Sequence, residues 1–116
     1  MYEYRAKLVK VVDGDTLDLE VDLGFGVKKV DRFRLAGINT PELNRKDERE
    51  AGLAAKAFVE EWFEGEEYVM IDTFKDKKGK YGRYIAILWQ PDNDGTYTSL
   101  GSQLVLNGHA EIANYD

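Results

Sequence analysis

Residues 9–22, VKVVDGDTLDLEVD, decide the fold class because apolar and polar side chains alternate on both sides of a turn signal. Five of the six apolar residues fall on odd positions, namely Val9, Val11, Leu17, Leu19 and Val21, and Val12 is the exception. An alternation of period two is typical of strands that bury one face. Asp13-Gly14-Asp15 interrupts the alternation and favours a tight turn. The stretch therefore predicts two strands joined by that turn.

Beyond this hairpin the pattern continues with one more strand and then changes its period. A glycine-containing loop at residues 24–26 precedes a predicted third strand at residues 29–38. At residues 51–63 apolar side chains recur at intervals of three and four, as on one face of an amphipathic helix, and Gly65 is a typical helix stop. The remaining predicted elements are strands at residues 67–74 and 83–90 and a short helix at residues 99–107.

The order of these elements predicts a mainly β fold with helices (α+β). Five strands with one helix inserted after the third are the layout of an OB-fold-like barrel. The chain has 116 residues, and neither an internal repeat nor a low-complexity linker divides it. That length fits one domain. We therefore expect a single barrel domain over residues 1–116.

Composition excludes several kinds of site. The chain has no cysteine, which excludes disulfide frameworks, zinc ribbons, iron–sulfur sites and thiol catalysis. The longest apolar run, residues 84–89, has six residues, far fewer than a membrane span needs, so we expect no membrane partner. Residues 1–12 lack the apolar core and cleavage site of a signal peptide. We expect a cytoplasmic protein or the mature form of a secreted one.

Charge is distributed unevenly along the chain. The formal net charge is −6, but residues 75–83, KDKKGKYGR, carry five cations and one anion, so the other residues sum to −10. This basic segment is suited to phosphate contacts. Arg83 begins a predicted strand, and its anchored guanidinium is best placed for a bidentate contact. The alternative is a solvated hairpin loop, which needs no function.

Two other clusters contain groups that bind ions. Asp15 shares the parity of Leu17 and is predicted to point into the barrel, where a carboxylate must be paired, hydrogen-bonded or bound to a metal. Residues 34–42, RLAGINTPE, place a guanidinium, an amide oxygen, a backbone carbonyl and a carboxylate within nine residues. The alternatives are an ordinary solvated turn at Asp15 and a strand that ends in a proline turn, with Arg34 as a surface cation.

Together these clusters resemble the motifs of the staphylococcal nuclease family. The pieces that carry the resemblance are VDGDT at 12–16, RL at 34–35, TPE at 40–42, GLAA at 52–55, KYGR at 80–83 and LVLNG at 104–108. Each piece alone is weak, but their order and spacing hold over residues 9–113. The resemblance implies an OB-fold barrel enzyme that cleaves phosphodiester bonds in DNA and RNA with the help of calcium.

The resemblance also implies a set of metal ligands. Asp15 corresponds to a carboxylate ligand, and Thr40 to a residue that binds the metal through its main-chain carbonyl. Asn39 stands where the family has a second aspartate ligand, so the site has one formal negative charge fewer. All three supply the hard oxygen atoms that calcium prefers. We expect weaker calcium binding, or a preference for another divalent cation.

Catalytic and substrate-binding roles are implied in the same way. Arg34 and Arg83 correspond to two arginines that clamp the scissile phosphate, and Glu42 to the general base that activates the attacking water. Two guanidiniums and a metal suit this reaction because they offset the charge of the phosphodiester and of its transition state. The residues expected to contact the substrate are Tyr81, Lys80 and Lys78.

Other interpretations stay open at this point. An OB-fold nucleic-acid-binding module with weak or no catalysis is favoured by Asn39 alone, whereas Arg34, Glu42 and Arg83 favour the enzyme. A protein–protein adaptor barrel would fit the acidic surface but leaves the clustered residues unexplained. The sequence also ends at Asp116 without the family's final helix, which would lower stability or expose an apolar patch suited to self-association.

Overall fold

The computed structural model describes residues 2–78 and 84–113, with side chains placed for 3–74 and 84–113. Within these residues the elements, in chain order, are β1 (Tyr2–Asp13), β2 (Thr16–Gly24), β3 (Val27–Leu35), β4 (Ile38–Asn39), α1 (Arg49–Phe63), β5 (Val69–Lys78), β6 (Tyr84–Pro91), β7 (Tyr97–Ser99), α2 (Leu100–Leu106) and β8 (Glu111–Ile112).

Five of the strands close into a barrel. Strand β1 pairs with β2 and β5, β2 with β3, and β5 with β6, all antiparallel. The barrel is closed by a parallel pairing of β3 with β6, in the register Phe33↔Tyr84, Arg34↔Ile85 and Leu35↔Ala86. With α1 inserted after the third barrel strand, this is the predicted OB-fold-like architecture, and the fold-class prediction is confirmed.

The barrel interior and α1 share one apolar core. The fully buried residues with the largest side chains are Leu17, Leu19, Leu35, Val59, Ile71, Leu88, Leu100 and Leu104. Helix α1 buries Ala55, Val59 and Phe63 of its predicted apolar face, together with Gly52, whereas the predicted Ala51 and Ala54 are exposed. It ends near the predicted stop, since Gly65 has a φ of +81°, the left-handed conformation that terminates many helices.

The predicted third strand, residues 29–38, is wrong at its far end. Strand β3 stops at Leu35, and Gly37 has a φ of +73°, so the chain turns out of the barrel wall. Strand β4 then pairs with β8 in the register Ile38↔Ile112 and Asn39↔Glu111. The two-residue strands β4 and β8 were not predicted because neither is long enough to show an alternation.

The predicted inward orientation of Val9 is also wrong. Leu8 pairs with Leu19 and Lys10 with Asp18, so Val9 is the extra residue of a β-bulge. A bulge shifts the alternation by one position, and Val9 is 54% exposed, whereas Val11 is buried. The inward parity predicted for the second strand is confirmed at Leu17 and Leu19.

Neither helix in the described part of the chain is long and apolar enough to cross a membrane.

Gly52 provides a test of how closely α1 approaches residues 41–43, in the loop that precedes it. A Cβ on Gly52 would lie 2.9 Å from the Pro41 carbonyl oxygen and 3.1 Å from Leu43 Cδ2. Intrinsic helix propensity alone predicts that Gly→Ala stabilises a helix by about 1 kcal/mol. We expect Gly52→Ala to lower the free energy of unfolding in urea instead, by about 1–3 kcal/mol, because the backbone must shift.

Gly101→Ala in α2 is the matched control, because its Cβ would meet Ile38 Cγ2 at 3.8 Å, an ordinary contact. That variant is expected to be neutral or slightly stabilised. Equal stabilisation of both variants would contradict the close approach at Gly52.

Candidate cation and phosphate site

The Asp13–Asp15 turn is packed tightly beneath α1. Gly14 is buried, and a Cβ there would lie 2.8 Å from Ala55 Cβ and 2.9 Å from Thr40 Oγ1. No side chain fits in that space, so glycine lets the turn approach both the helix and Thr40. The turn is also tied to the end of β3, because the Leu35 N–H donates to the Asp15 carbonyl at 2.9 Å.

Asp15 points inward, as its parity predicts, and is 8% exposed. Its Oδ1 accepts a hydrogen bond from Thr16 Oγ1 at 3.1 Å, and its Oδ2 accepts one from the Thr40 backbone N–H at 3.0 Å. Arg34 Nη1 lies 3.4 Å from the same Oδ2. The carboxylate is therefore paired and hydrogen-bonded, as a buried charge must be, and the interpretation as a solvated turn is wrong.

Arg34 is not a surface cation, because only 7% of it is exposed. It lies one residue before the end of β3, and its Nη1 donates to the Leu35 carbonyl at 3.1 Å. Its Nη2 donates to Asn39 Oδ1. The guanidinium thus bridges the carboxylate of Asp15 and the amide oxygen of Asn39, two of the predicted metal ligands.

Asp13, which the sequence analysis placed in the turn without a role in the site, is also a member of this cluster. The Asp15 N–H donates to Asp13 Oδ1 at 3.1 Å. Burial, a hydrogen bond between the two side chains and the charge of Asp15 raise the pKa of Asp13 to about 6. Burial also acts to raise the pKa of Asp15, but hydrogen bonds from Asp13 and Thr40 and the charge of Arg34 outweigh it and lower that pKa. Two carboxylates flanking one glycine were the available sequence signal.

Thr40 and Glu42 lie at opposite extremes of exposure. Thr40 is 7% exposed, and within the described residues its Oγ1 has no hydrogen-bond partner. Glu42 is exposed on the loop before α1, and its backbone N–H donates to Glu48 Oε1 at 3.3 Å. The structure therefore brings Arg34 into contact with Asp15 and Asn39. The backbone of Thr40 contacts Asp15, and Glu42 is two residues after Thr40 in the sequence.

A cavity of about 230 Å³ lies beside this cluster. Its lining residues are Asn39, Thr40, Pro41, Glu48, Gly108, His109, Ala110 and Glu111. Two of these residues, Asn39 and Glu111, are directly opposite each other in the β4–β8 pairing. His109 is half-buried there, with its ring centroid 5.0 Å from that of Phe58.

The basic segment of the predicted site is largely outside what the structure describes. Lys80, Tyr81 and Arg83, and the side chain of Lys78, lie outside the described residues. Tyr84, the residue after Arg83, pairs with Phe33, the residue before Arg34.

The donor atoms fit a hard cation by type. Calcium is bound by carboxylate, amide and backbone carbonyl oxygens, and Asp15, Asn39 and Thr40 offer one of each. Among the residues that the structure describes, no group of three His, Cys, Asp or Glu side chains could hold a metal ion. Because Arg34 already contacts Asp15 Oδ2 and Asn39 Oδ1, a cation on these oxygens would have to share them with the guanidinium.

The fold and this cluster define the class of protein: a small OB-fold-like barrel with a buried guanidinium and oxygen donors at one edge. The sequence model of a family described as staphylococcal nuclease homologue matches residues 32–116, and the chain belongs to that family. The matched residues include Arg34, Asn39, Thr40 and Glu42, whereas Asp15 precedes them.

The chain is also similar to an uncharacterised protein of Methanocaldococcus jannaschii. The two are 29% identical over an alignment of 128 positions. The alignment covers 94% of this chain and 59% of the relative. The chain therefore spans less than two thirds of that relative's length.

The buried Asp15–Arg34 pair should be much more important for stability than an exposed pair. Asp15→Asn removes the charge that compensates Arg34, and removing one partner of a buried pair costs about 3–5 kcal/mol. Asp18→Asn is the matched control, because Asp18 contacts Arg32 Nε at 2.8 Å on the exposed outer face, where ion pairs contribute about 0–1 kcal/mol. Urea unfolding measures both losses, and equal losses would contradict the buried pair.

Proposed function

We propose that this chain is a metal-dependent nuclease that hydrolyses phosphodiester bonds of DNA, RNA or both. The observation that carries the proposal is the position of Arg34, a buried guanidinium held near the end of β3 by oxygen acceptors, one of which, Asn39, lines a cavity. Family membership supports a nuclease or nucleic-acid-binding module. We also propose that residues 1–116 act as one domain.

Arg34 is suited to bind the scissile phosphate. A guanidinium forms paired, charge-assisted hydrogen bonds with phosphate oxygens. The contacts of Arg34 with Leu35 and Asn39 fix its direction before a substrate arrives, and a donor that is already oriented needs no reorganisation during the reaction. By the family resemblance, Arg83 is the second guanidinium on that phosphate.

A divalent cation, which we propose to be calcium, would be held by Asp15, the amide oxygen of Asn39 and the main-chain carbonyl of Thr40. When bound, it would polarise the phosphate and offset its charge. The N–H of Thr40 and the hydroxyl of Thr16 already orient the carboxylate of Asp15. Within this chain these hydrogen bonds therefore fix the direction of the proposed ligand.

Glu42 is the proposed general base. It is exposed, so water can reach its carboxylate, and it lies two residues from Thr40. A positioned carboxylate that accepts a proton from the attacking water contributes about 10²–10⁴-fold to a rate. We propose Lys78, Lys80 and Tyr81 as substrate contacts because the segment 75–83 has a net charge of +4.

A nucleic-acid-binding module with weak or no catalysis is the second candidate. It is favoured by the engagement of Arg34 with Asp15 and Asn39, because a guanidinium with such partners has fewer donors left for a phosphate. It is also favoured by the neutral Asn39 at a ligand position.

Cleavage assays on single-stranded DNA, double-stranded DNA and RNA separate the two candidates. Each substrate is incubated with calcium, magnesium or EDTA. We expect cleavage that requires a metal, that falls by about 10²–10⁴-fold in Glu42→Gln, and that is lost in Arg83→Ala.

Glu61→Gln, which changes an exposed glutamate on α1, is the control and should cleave like the wild type. Binding of any of the nucleic acids without cleavage under every metal would refute the nuclease and support the binding module.

Asn39 provides a test of the proposed cation site. Asn39→Asp adds a charge at a proposed ligand, and the number of ligand charges is a main determinant of calcium affinity. We expect calcium to bind about tenfold more tightly, which corresponds to about 1.4 kcal/mol. Calorimetric titration measures the change.

Asn93→Asp adds the same charge in an exposed turn and should leave the affinity unchanged. Equal affinities of Asn39→Asp and the wild type would contradict Asn39 as a ligand.

A further inference from the structure

The outer face of the barrel has an open cleft that is separate from the candidate site. Its volume is about 390 Å³, and it is lined by Glu3, Met70, Asp72, Trp89 and Tyr97. Glu3 and Asp13 lie near opposite ends of β1, about 30 Å apart along an extended strand. The cleft therefore has no residue in common with the Asp15–Arg34 cluster.

Strand register explains why these side chains share one face. Glu3 pairs directly with Asp72, and Met70 pairs directly with Trp89. Directly opposed residues of antiparallel strands point to the same side of a sheet. The neighbouring Ile71 points the other way and is fully buried, so the cleft residues lie on the outside.

Trp89 has a defined orientation in the cleft. Its Nε1 donates a hydrogen bond to Asp72 Oδ2 at 2.9 Å. This bond satisfies the indole N–H and fixes the direction of the ring. Tyr97, on the edge strand β7, is 59% exposed, so its ring is accessible beside the indole.

The chemistry of the cleft suits a cation. The faces of Trp and Tyr rings attract ammonium and guanidinium groups, and Glu3 and Asp72 add two carboxylates. A nucleic acid would bring phosphates towards those carboxylates and would be repelled. The chain already has one such contact next to the cleft, where Arg5 lies 4.8 Å from the Tyr68 ring centroid.

Arg5 is a cation of the chain that lies on the same face of the sheet as the cleft. It pairs with Met70 in the sheet, but its guanidinium lies over Tyr68 and 3.4 Å from Asp22. Its charge is therefore directed towards β2, and among the side chains that the structure describes no ion pair joins Glu3 or Asp72 to a cation.

We propose that this cleft binds a lysine or arginine side chain presented by a basic segment of a partner protein. The side chain's cationic group lies against Trp89 and Tyr97 and is paired with Asp72 and Glu3. Its aliphatic part contacts Met70, an adaptable apolar surface.

The fluorescence of Trp89 gives a direct measurement. The chain has two tryptophans, so Trp62→Phe leaves Trp89 as the sole indole. In this background we would titrate the peptides acetyl-Gly-Lys-Gly-amide and acetyl-Gly-Arg-Gly-amide, with acetyl-Gly-norleucine-Gly-amide as the neutral control. We expect a saturable change with either cationic peptide and binding about tenfold weaker with norleucine.

Two conservative variants test the carboxylates. Asp72→Asn keeps an oxygen that can accept the Trp89 hydrogen bond but removes the charge, and Glu3→Gln alters an exposed residue. Each is expected to weaken the binding of the cationic peptides by about tenfold and to leave nucleic acid cleavage unchanged. Asp31→Asn, on the exposed part of β3, is the control and should bind as tightly as the background protein.

Any of three results would overturn the proposal. The first is equal affinity for the norleucine peptide, and the second is unchanged affinity in both carboxylate variants. The third is a Trp89 response to a single-stranded oligonucleotide in place of the cationic peptides.

Discussion

The ion pair between Asp15 and Arg34 is the constraint on which the rest of the site depends. A charge buried in a barrel wall is costly unless it is paired and hydrogen-bonded, and both partners here are more than nine-tenths buried. The N–H of Thr40 donates to the carboxylate and the amide oxygen of Asn39 accepts from the guanidinium, while Gly14 lets the turn at residues 13–15 pack under α1. The turn, the end of β3 and residues 39–40 thus meet at one pair of charges.

This arrangement gives a physical reason for the proposed chemistry. The oxygens that hold Arg34 are of the kind that a hard cation prefers, so the guanidinium and the proposed metal would share Asp15 and Asn39. An acidic barrel could act on an anionic polymer in this way, because a net positive charge is concentrated in residues 75–83 and a bound cation would add to it.

Local pattern predicted the fold and part of the site. Three features depend only on neighbouring residues, and the sequence therefore predicts them. They are the alternation at residues 17–21, the helical period of α1 and the inward orientation of Asp15. The burial of Arg34 depends on partners at positions 15 and 39, and the β4–β8 pairing joins segments about 70 residues apart. Neither leaves a local signal, and the bulge at Val9 reverses a pattern that otherwise looks regular.

A double-mutant cycle tests the central claim most directly. The free energies of unfolding of the wild type, Asp15→Asn, Arg34→Met and the double variant are measured in urea. For a buried pair, the double variant should lose less stability than the sum of the two single losses, with a coupling energy of about 1–3 kcal/mol. The reason is that removing both charges leaves neither one uncompensated. Additive losses would contradict the pair as the structural centre of the site.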